Sequence, residues 1–206
     1  MNPMFYFLLA LTTVLAATVD GAEPVVDAAG TPISGGSYYI FPIDVQGGGV
    51  ALSSRNGKPC PLEIVQDSSN AELGIPVKFS DWKSNVEFVP ESESLNIEMD
   101  TAATICGQST YWSVDEGDRE IKMLFVAAGP KPEVFHFQIE KSGDFFSYKF
   151  VVCPNWSQSK DDCLDVGIFV DENGVRRLAL GSSLPFSFLL MKAIEAEASS
   201  KNILLS

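Results

Sequence analysis

The chain has 206 residues, a formal net charge of −13, 46% hydrophobic and 20% charged residues. That length accommodates one ordinary domain with a removable segment, and the composition supports a packed core rather than disorder. The acidic balance speaks against nucleic acid as a partner, because phosphates need Lys and Arg, and a single histidine, His136, excludes an HExxH zinc site or a multi-histidine metal cage.

In chain order, Met1 to Val19 carry no charged side chain, and Phe5, Phe7, Leu8, Leu9, Leu11, Val14 and Leu15 form an apolar stretch before Ala16 and Ala17. This predicts a signal peptide over 1–21, cut near Gly21 or Ala22, with Ala16 as a second site. The stretch is short for a membrane span, so no membrane association is expected. Short apolar segments then predict strands at Ser37 to Ile40, Val50 to Leu52, Glu63 to Val65, Leu95 to Met99, Tyr111 to Val114, Ile121 to Phe125, Val134 to Ile139, Phe145 to Val151, Val166 to Val170 and Arg177 to Leu180. Asn173-Gly174 predicts a hairpin between the last two, since both residues tolerate positive φ. Many short strands at regular spacing predict an all-β barrel or sandwich. A helical pattern occurs only at the tail, Met191 to Ala198.

Cys60, Cys106, Cys153 and Cys163 behind a signal peptide predict two disulfides. Three pairings are open; the sequential one is simplest, because Cys153 and Cys163 lie close together and flank turn residues. Asn155-Trp156-Ser157 is an N-glycosylation sequon in the shorter of those intervals. His136 falls on the polar face of its strand beside Gln138, as a solvated histidine would. Asp161 with Asp162, and Glu91 with Glu93, are the acidic pairs that glycosidase chemistry would need; in so acidic a chain they read as solvated turns. Gly47-Gly48-Gly49 precedes a strand and opens no helix, so it reads as a loop and not as a phosphate cradle. No metal or cofactor is expected.

Several stretches together resemble the plant Kunitz-type (soybean trypsin inhibitor) protease inhibitor family. They are Val25 to Ile33 with Gly35 to Ile40, Cys60 to Gln66, Tyr148 to Pro154, Asp165 to Ile168, and Gly174 to Leu178. The resemblance runs from about Pro24 to Met191. It implies a β-trefoil, a closed six-stranded barrel capped by hairpins with pseudo-threefold symmetry, over 22–192, and leaves 193–206 as an extension that does not pack on the barrel. It implies Cys60–Cys106 and Cys153–Cys163 pairing. It also implies a monomeric, secreted or vacuolar inhibitor of endopeptidases, most often serine proteases, with no enzyme activity of its own. Inhibition of cysteine or aspartic proteases, or a non-inhibitory binding or storage role, are the alternatives within the family.

The family acts by substrate mimicry: an exposed loop lies across the protease cleft, and its P1 side chain fills the S1 pocket. The matching loop here is Ser80 to Val86, between strands expected around Val77 to Phe79 and Glu87 to Val89. Its reactive residues are Trp82, Lys83, Ser84, Asn85 and Val86. Counting back from Phe88 places P1 at Asn85, and counting forward from Gly74-Ile75 places it near Ser84. Lys83 is the basic residue of the loop and suits a trypsin-like S1 pocket. The family braces this loop with an Asn before the Gly-Gly pair; here Ser34 stands before Gly35-Gly36.

Overall fold

A computed structural model describes residues 22–43, 46–55, 57–102, 104–115, 123–143, 145–156 and 159–194. The expected signal peptide and residues 195–206 of the expected extension lie outside the described residues.

Antiparallel strands dominate: β1 (Tyr38–Pro42), β2 (Val50–Arg55), β3 (Lys58–Gln66), β4 (Val77–Ser80), β5 (Asn96–Met99), β6 (Tyr111–Asp115), β7 (Phe125–Gly129), β8 (Phe135–Lys141), β9 (Tyr148–Pro154), β10 (Leu164–Val170), β11 (Arg176–Leu180), β12 (Leu184–Pro185) and β13 (Ser187–Lys192). Lys160–Asp162 add one turn of 3-10 helix, capped by the Ser159 hydroxyl. The pairings close on themselves in the order β10-β11-β3-β7-β6-β5-β4-β1-β13-β9 and back to β10. This is the expected all-β trefoil. Its ring counts more short strands than the expected six, because single pairs such as Tyr38 with Val77, Glu63 with Ala127 and Glu98 with Tyr111 stitch further strands into it.

The core follows from alternation. In β8, Phe137 and Ile139 are buried while His136 and Gln138 lie between them, half-buried on the other face. Trp112 is fully buried, edge-on to Phe137 and Phe150, and Phe150 stacks on Phe188 at 4.3 Å. Such rings contribute through both area and geometry.

Several expectations are refined or corrected. Of the strand expected over Ile121 to Phe125, Ile121 and Lys122 lie outside the described residues; the described strand starts at Phe125 and runs on through Ala127, Ala128 and Gly129, all buried, so it shows no alternation to read. Glu87 to Val89 form no strand; Val89 instead bonds the N-terminal segment on both sides. Met191 and Lys192, expected in a helix, end β13, where Met191 pairs with Tyr39 and Lys192 with Tyr38. Past that strand the Ala193 N–H still donates to the Ser37 carbonyl at 2.8 Å. The hairpin expected at Asn173-Gly174 forms between β10 and β11; of the two residues only Gly174 has positive φ, and Asp171 closes the turn through its carboxylate and backbone.

Phe145 and Phe146 start no strand either. They form the β8–β9 turn with φ of 60° and 61°. That region costs a non-glycine residue roughly 1–2 kcal/mol. Phe145 is 90% exposed and so packs on little. Phe145→Gly is therefore expected to stabilise the fold by about 1 kcal/mol, after the added freedom of the unfolded chain is set against the relieved strain. A urea midpoint that falls, at unchanged slope, would contradict this.

The Gly47-Gly48-Gly49 run has a packing reason. Gly48 and Gly49 donate to the Asp67 and Glu72 carbonyls, and a Cβ on Gly49 would overlap the Leu73 carbonyl. Both disulfides form, Cys60–Cys106 and Cys153–Cys163. Their sequence separations of 46 and 10 residues correspond to about 4 and about 3 kcal/mol of loop-closure entropy removed from the unfolded chain.

One polar cluster is buried beside this core. Glu63 on β3 and Arg177 on β11 are 1% and 3% exposed and pair at 2.5 Å. Arg177 also holds Asp171 at 2.8 Å, and Arg55 pairs with Glu63 while lying over the Phe125 ring at 4.7 Å. Burial pushes the Asp171 carboxyl up, but the Val175 N–H, the Arg177 side chain and the Asn173 N–H outweigh it and hold the carboxyl below its ordinary value.

Candidate reactive loop

Strands β4 and β5 pair from Val77 with Met99 to Ser80 with Asn96. The connection between them, 81–95, is too long for a simple hairpin turn. Its shape is set by what it bonds. At its base Asp81 adopts φ of 65°. The Asp81 carboxylate accepts from Lys131 Nζ at 2.7 Å and Asn96 Nδ2 at 2.6 Å, and these bonds hold it below the ordinary carboxylate range. At the far end Val25 N–H donates to the Val89 carbonyl and Val89 N–H to the Ile33 carbonyl, both at 2.9 Å. Ser92 and Leu95 donate to Ile139 and Phe137 of β8. Lys141 pairs with both Glu91 and Glu23, tying this end to the N-terminal segment.

Between these anchors exposure alternates. Lys83, Asn85 and Glu87 are exposed; Trp82, Ser84, Val86 and Phe88 are half-buried. Trp82 packs against the core, and its indole Nε1–H donates to the Val86 carbonyl at 3.0 Å. The Ser84 N–H donates to Glu93 Oε2 at 3.0 Å. Among the described residues Lys83 has no ion-pair partner.

The structure thus brings the five expected residues onto one segment and separates them into an outward pair, Lys83 and Asn85, and an inward set, Trp82, Ser84 and Val86. Ser34 does not brace it: its N–H donates to the Tyr38 hydroxyl at 3.2 Å, and no described hydrogen bond joins it to 80–86. Glu93, expected as one of a solvated acidic pair, instead accepts from the Ser84 N–H of this segment. Its partner Glu91 is likewise engaged, by Lys141. Nothing in the spacing of Glu93 and Ser84 signals the contact, because the chain doubles back between them. Asp161 and Asp162 lie exposed in the capped 3-10 turn. Asn155 is exposed, with its Nδ2 donating to the Glu133 carbonyl at 2.7 Å. Trp156 beside it is 69% exposed and edge-on to Phe135. Among the described residues no cluster of His, Cys, Asp or Glu is arranged to hold a metal ion, and no helix is long and apolar enough to cross a membrane.

A closed barrel here holds a segment, pinned at both ends, with Lys83, Asn85 and Glu87 exposed. The family model described as trypsin and protease inhibitor matches residues 25–192, so the chain belongs to the plant Kunitz family of trypsin and protease inhibitors. It is 55% identical over 212 residues to Kunitz trypsin inhibitor 4 of Arabidopsis thaliana, covering 98% of this chain and 97% of that protein. It is 34% identical to Kunitz trypsin inhibitor 3 of the same plant, over 91% of this chain and 86% of that one. Among solved structures it matches the complex of porcine pancreatic trypsin with soybean trypsin inhibitor, with a TM-score of 0.72 and 30% identity over 84% of this chain and 100% of that one. The family is one of protease inhibitors and not of enzymes.

Proposed function

We propose that this protein inhibits serine endopeptidases of the trypsin type by laying residues 80–86 across the enzyme's cleft, with Lys83 in the S1 pocket. The observation that carries the reading is the segment itself: pinned at both ends, alternating in exposure, and presenting an outward lysine with no described ion-pair partner. A loop already held in shape loses little entropy on docking. An interface of this kind buries roughly 1,600 Å² in total, with the P1 side chain as its anchor. A cationic P1 residue matches a pocket with a carboxylate at its base.

An inhibition panel of trypsin, chymotrypsin, subtilisin and papain tests this. Trypsin is expected to be inhibited most tightly. Inhibition of papain alone would instead favour the cysteine-protease alternative, and a folded chain that inhibits none would favour a binding or storage role.

The apolar start and the disulfides support passage through the secretory pathway, to the outside or to the vacuole, with 1–21 removed on entry. Residues 193–206 would then be a terminal extension available for sorting. On that route Asn155 is a glycosylation site. One Nδ2 hydrogen bonds the Glu133 carbonyl, and the other can give way to the sugar. Wild-type protein from a eukaryotic secretory host is expected to lose mass on treatment with an N-glycanase, and Asn155→Gln is expected not to. A secreted wild-type chain with no glycan would refute the site.

A further inference from the structure

We infer that the first sugar of a glycan on Asn155 packs back onto the protein, against the ring of Trp156 and into the groove beside it, and covers the apolar surface at the start of β8. This rests on the glycosylation of Asn155 read above and names what the sugar at that site touches.

The surface is open and apolar. Trp156 is 69% exposed and Val134 is 46% exposed. The Asn155 N–H donates to the Val134 carbonyl at 2.8 Å, so the turn that carries Trp156 lies against the start of β8. The Trp156 ring meets Phe135 at 5.7 Å and 63°, and most of the residue still faces solvent. Phe135 also lines a groove of about 580 Å³, together with Pro61, Val114, Pro130, Pro132 and Val134. Sites for small ligands span roughly 300–1,000 Å³. A contiguous apolar surface of this kind marks a place where something binds.

The tether places a sugar there. The Asn155 Nδ2 donates to the Glu133 carbonyl at 2.7 Å, and Glu133 is itself a residue of the groove. A sugar bonded to that nitrogen starts at the groove's edge, with Trp156 as the next residue in the chain. One hydrogen remains on the nitrogen for the bond to Glu133. With the backbone N–H held by Val134 as well, the asparagine is fixed at both ends. The glycan therefore leaves it in a set direction.

The chemistry matches. The N-acetylglucosamine that begins an N-linked glycan has a face of C–H bonds and a rim of polar groups. The C–H face suits the negative face of an indole and the apolar wall of the groove. Its hydroxyls and acetamido group find Asp115, Lys131 and Glu133 in the same groove. Covalent attachment holds the sugar at high local concentration, so a contact too weak to bind free sugar still forms.

The test compares secreted wild type, Asn155→Gln, Trp156→Ala and the double variant, all from a host that adds high-mannose glycans and each checked by mass. Loss of the glycan in Asn155→Gln is expected to lower the thermal midpoint by about 2–4 °C, the shift for a contact of aromatic-pair strength in a chain of this length. Without Trp156 the same loss should lower it much less. Acrylamide quenching reads the contact directly. Trp112 is buried and Trp82 half-buried, so the difference from Trp156→Ala isolates Trp156. Its fluorescence should be quenched several-fold more slowly with the glycan than without. An endoglycosidase that leaves one sugar on Asn155 should preserve both effects. A glycan that raises the midpoint equally with and without Trp156, or that leaves the quenching of Trp156 unchanged, would overturn the packing while the glycosylation of Asn155 stood. Protection that persists in Asn155→Gln and grows with protein concentration would put a second copy of the chain on this surface instead. Loss of both effects on trimming to one sugar would overturn the role given to the first sugar. A secreted wild type without glycan would overturn the site and the packing together.

Discussion

Arg177→Met is expected to destabilise the folded chain by about 3–5 kcal/mol, because it leaves Glu63 as a buried charge without its main partner. Glu63 is 1% exposed, and Arg177 sits between it and Asp171 with bonds to both. Arg55 also reaches Glu63, but it is more exposed and is shared with Asp115 at 3.9 Å. It can therefore compensate only in part. The cluster joins β3 to β11 and to the turn at Asp171, so its loss should loosen pairings on both sides of β11. Removing both charges in Arg177→Met with Glu63→Leu should recover much of the stability, since an apolar pair of similar volume carries no desolvation cost. Urea unfolding of the single and double variants gives the coupling directly. A single-variant loss below about 1 kcal/mol would show that the charges are solvated in practice. The linked pH effect has a definite sign. The Asp171 carboxyl is held low in the folded state, so its contribution is present above the ordinary carboxylate range and is lost as pH falls through the lowered value. Arg177→Met should flatten that acid limb.

The second large effect is on binding. Lys83→Ala is expected to weaken trypsin inhibition by about 30-fold to several thousand-fold, the range that follows from truncating one partner of a desolvated charge pair at roughly 2–5 kcal/mol. The fold should be untouched, because Lys83 is exposed and joins no described ion pair. Asn85→Ala should cost far less. The opposite ranking would move P1 from Lys83 to Asn85.

Much of the fold was legible where local pattern and tertiary need agree. Alternation in Leu95 to Met99 and Val134 to Ile139 marks β5 to within one residue and β8 to within two. It failed where the reason for a structure is remote. Ala127, Ala128 and Gly129 are small because β7 is packed on both faces, and small residues carry no period. Phe145 and Phe146 have strong strand propensity yet must turn, since β8 and β9 pair from Lys141 with Tyr148 outward. The loop's identity could be read from a family resemblance, but its bracing could not. Glu93 reaches Ser84 only because Val89, Ser92 and Leu95 are fixed by Val25, Ile33, Ile139 and Phe137. The glycines at 47–49 carry the same lesson, for their necessity lies in the carbonyls of Asp67, Glu72 and Leu73.

The most direct measurement is a titration of active-site-counted trypsin with the folded, secreted protein. Substrate mimicry by one loop predicts a linear fall in activity to an endpoint at one inhibitor per enzyme, with Lys83→Ala needing a higher inhibitor concentration for the same loss of activity. Full trypsin activity at micromolar concentrations of correctly folded wild-type protein would contradict the account.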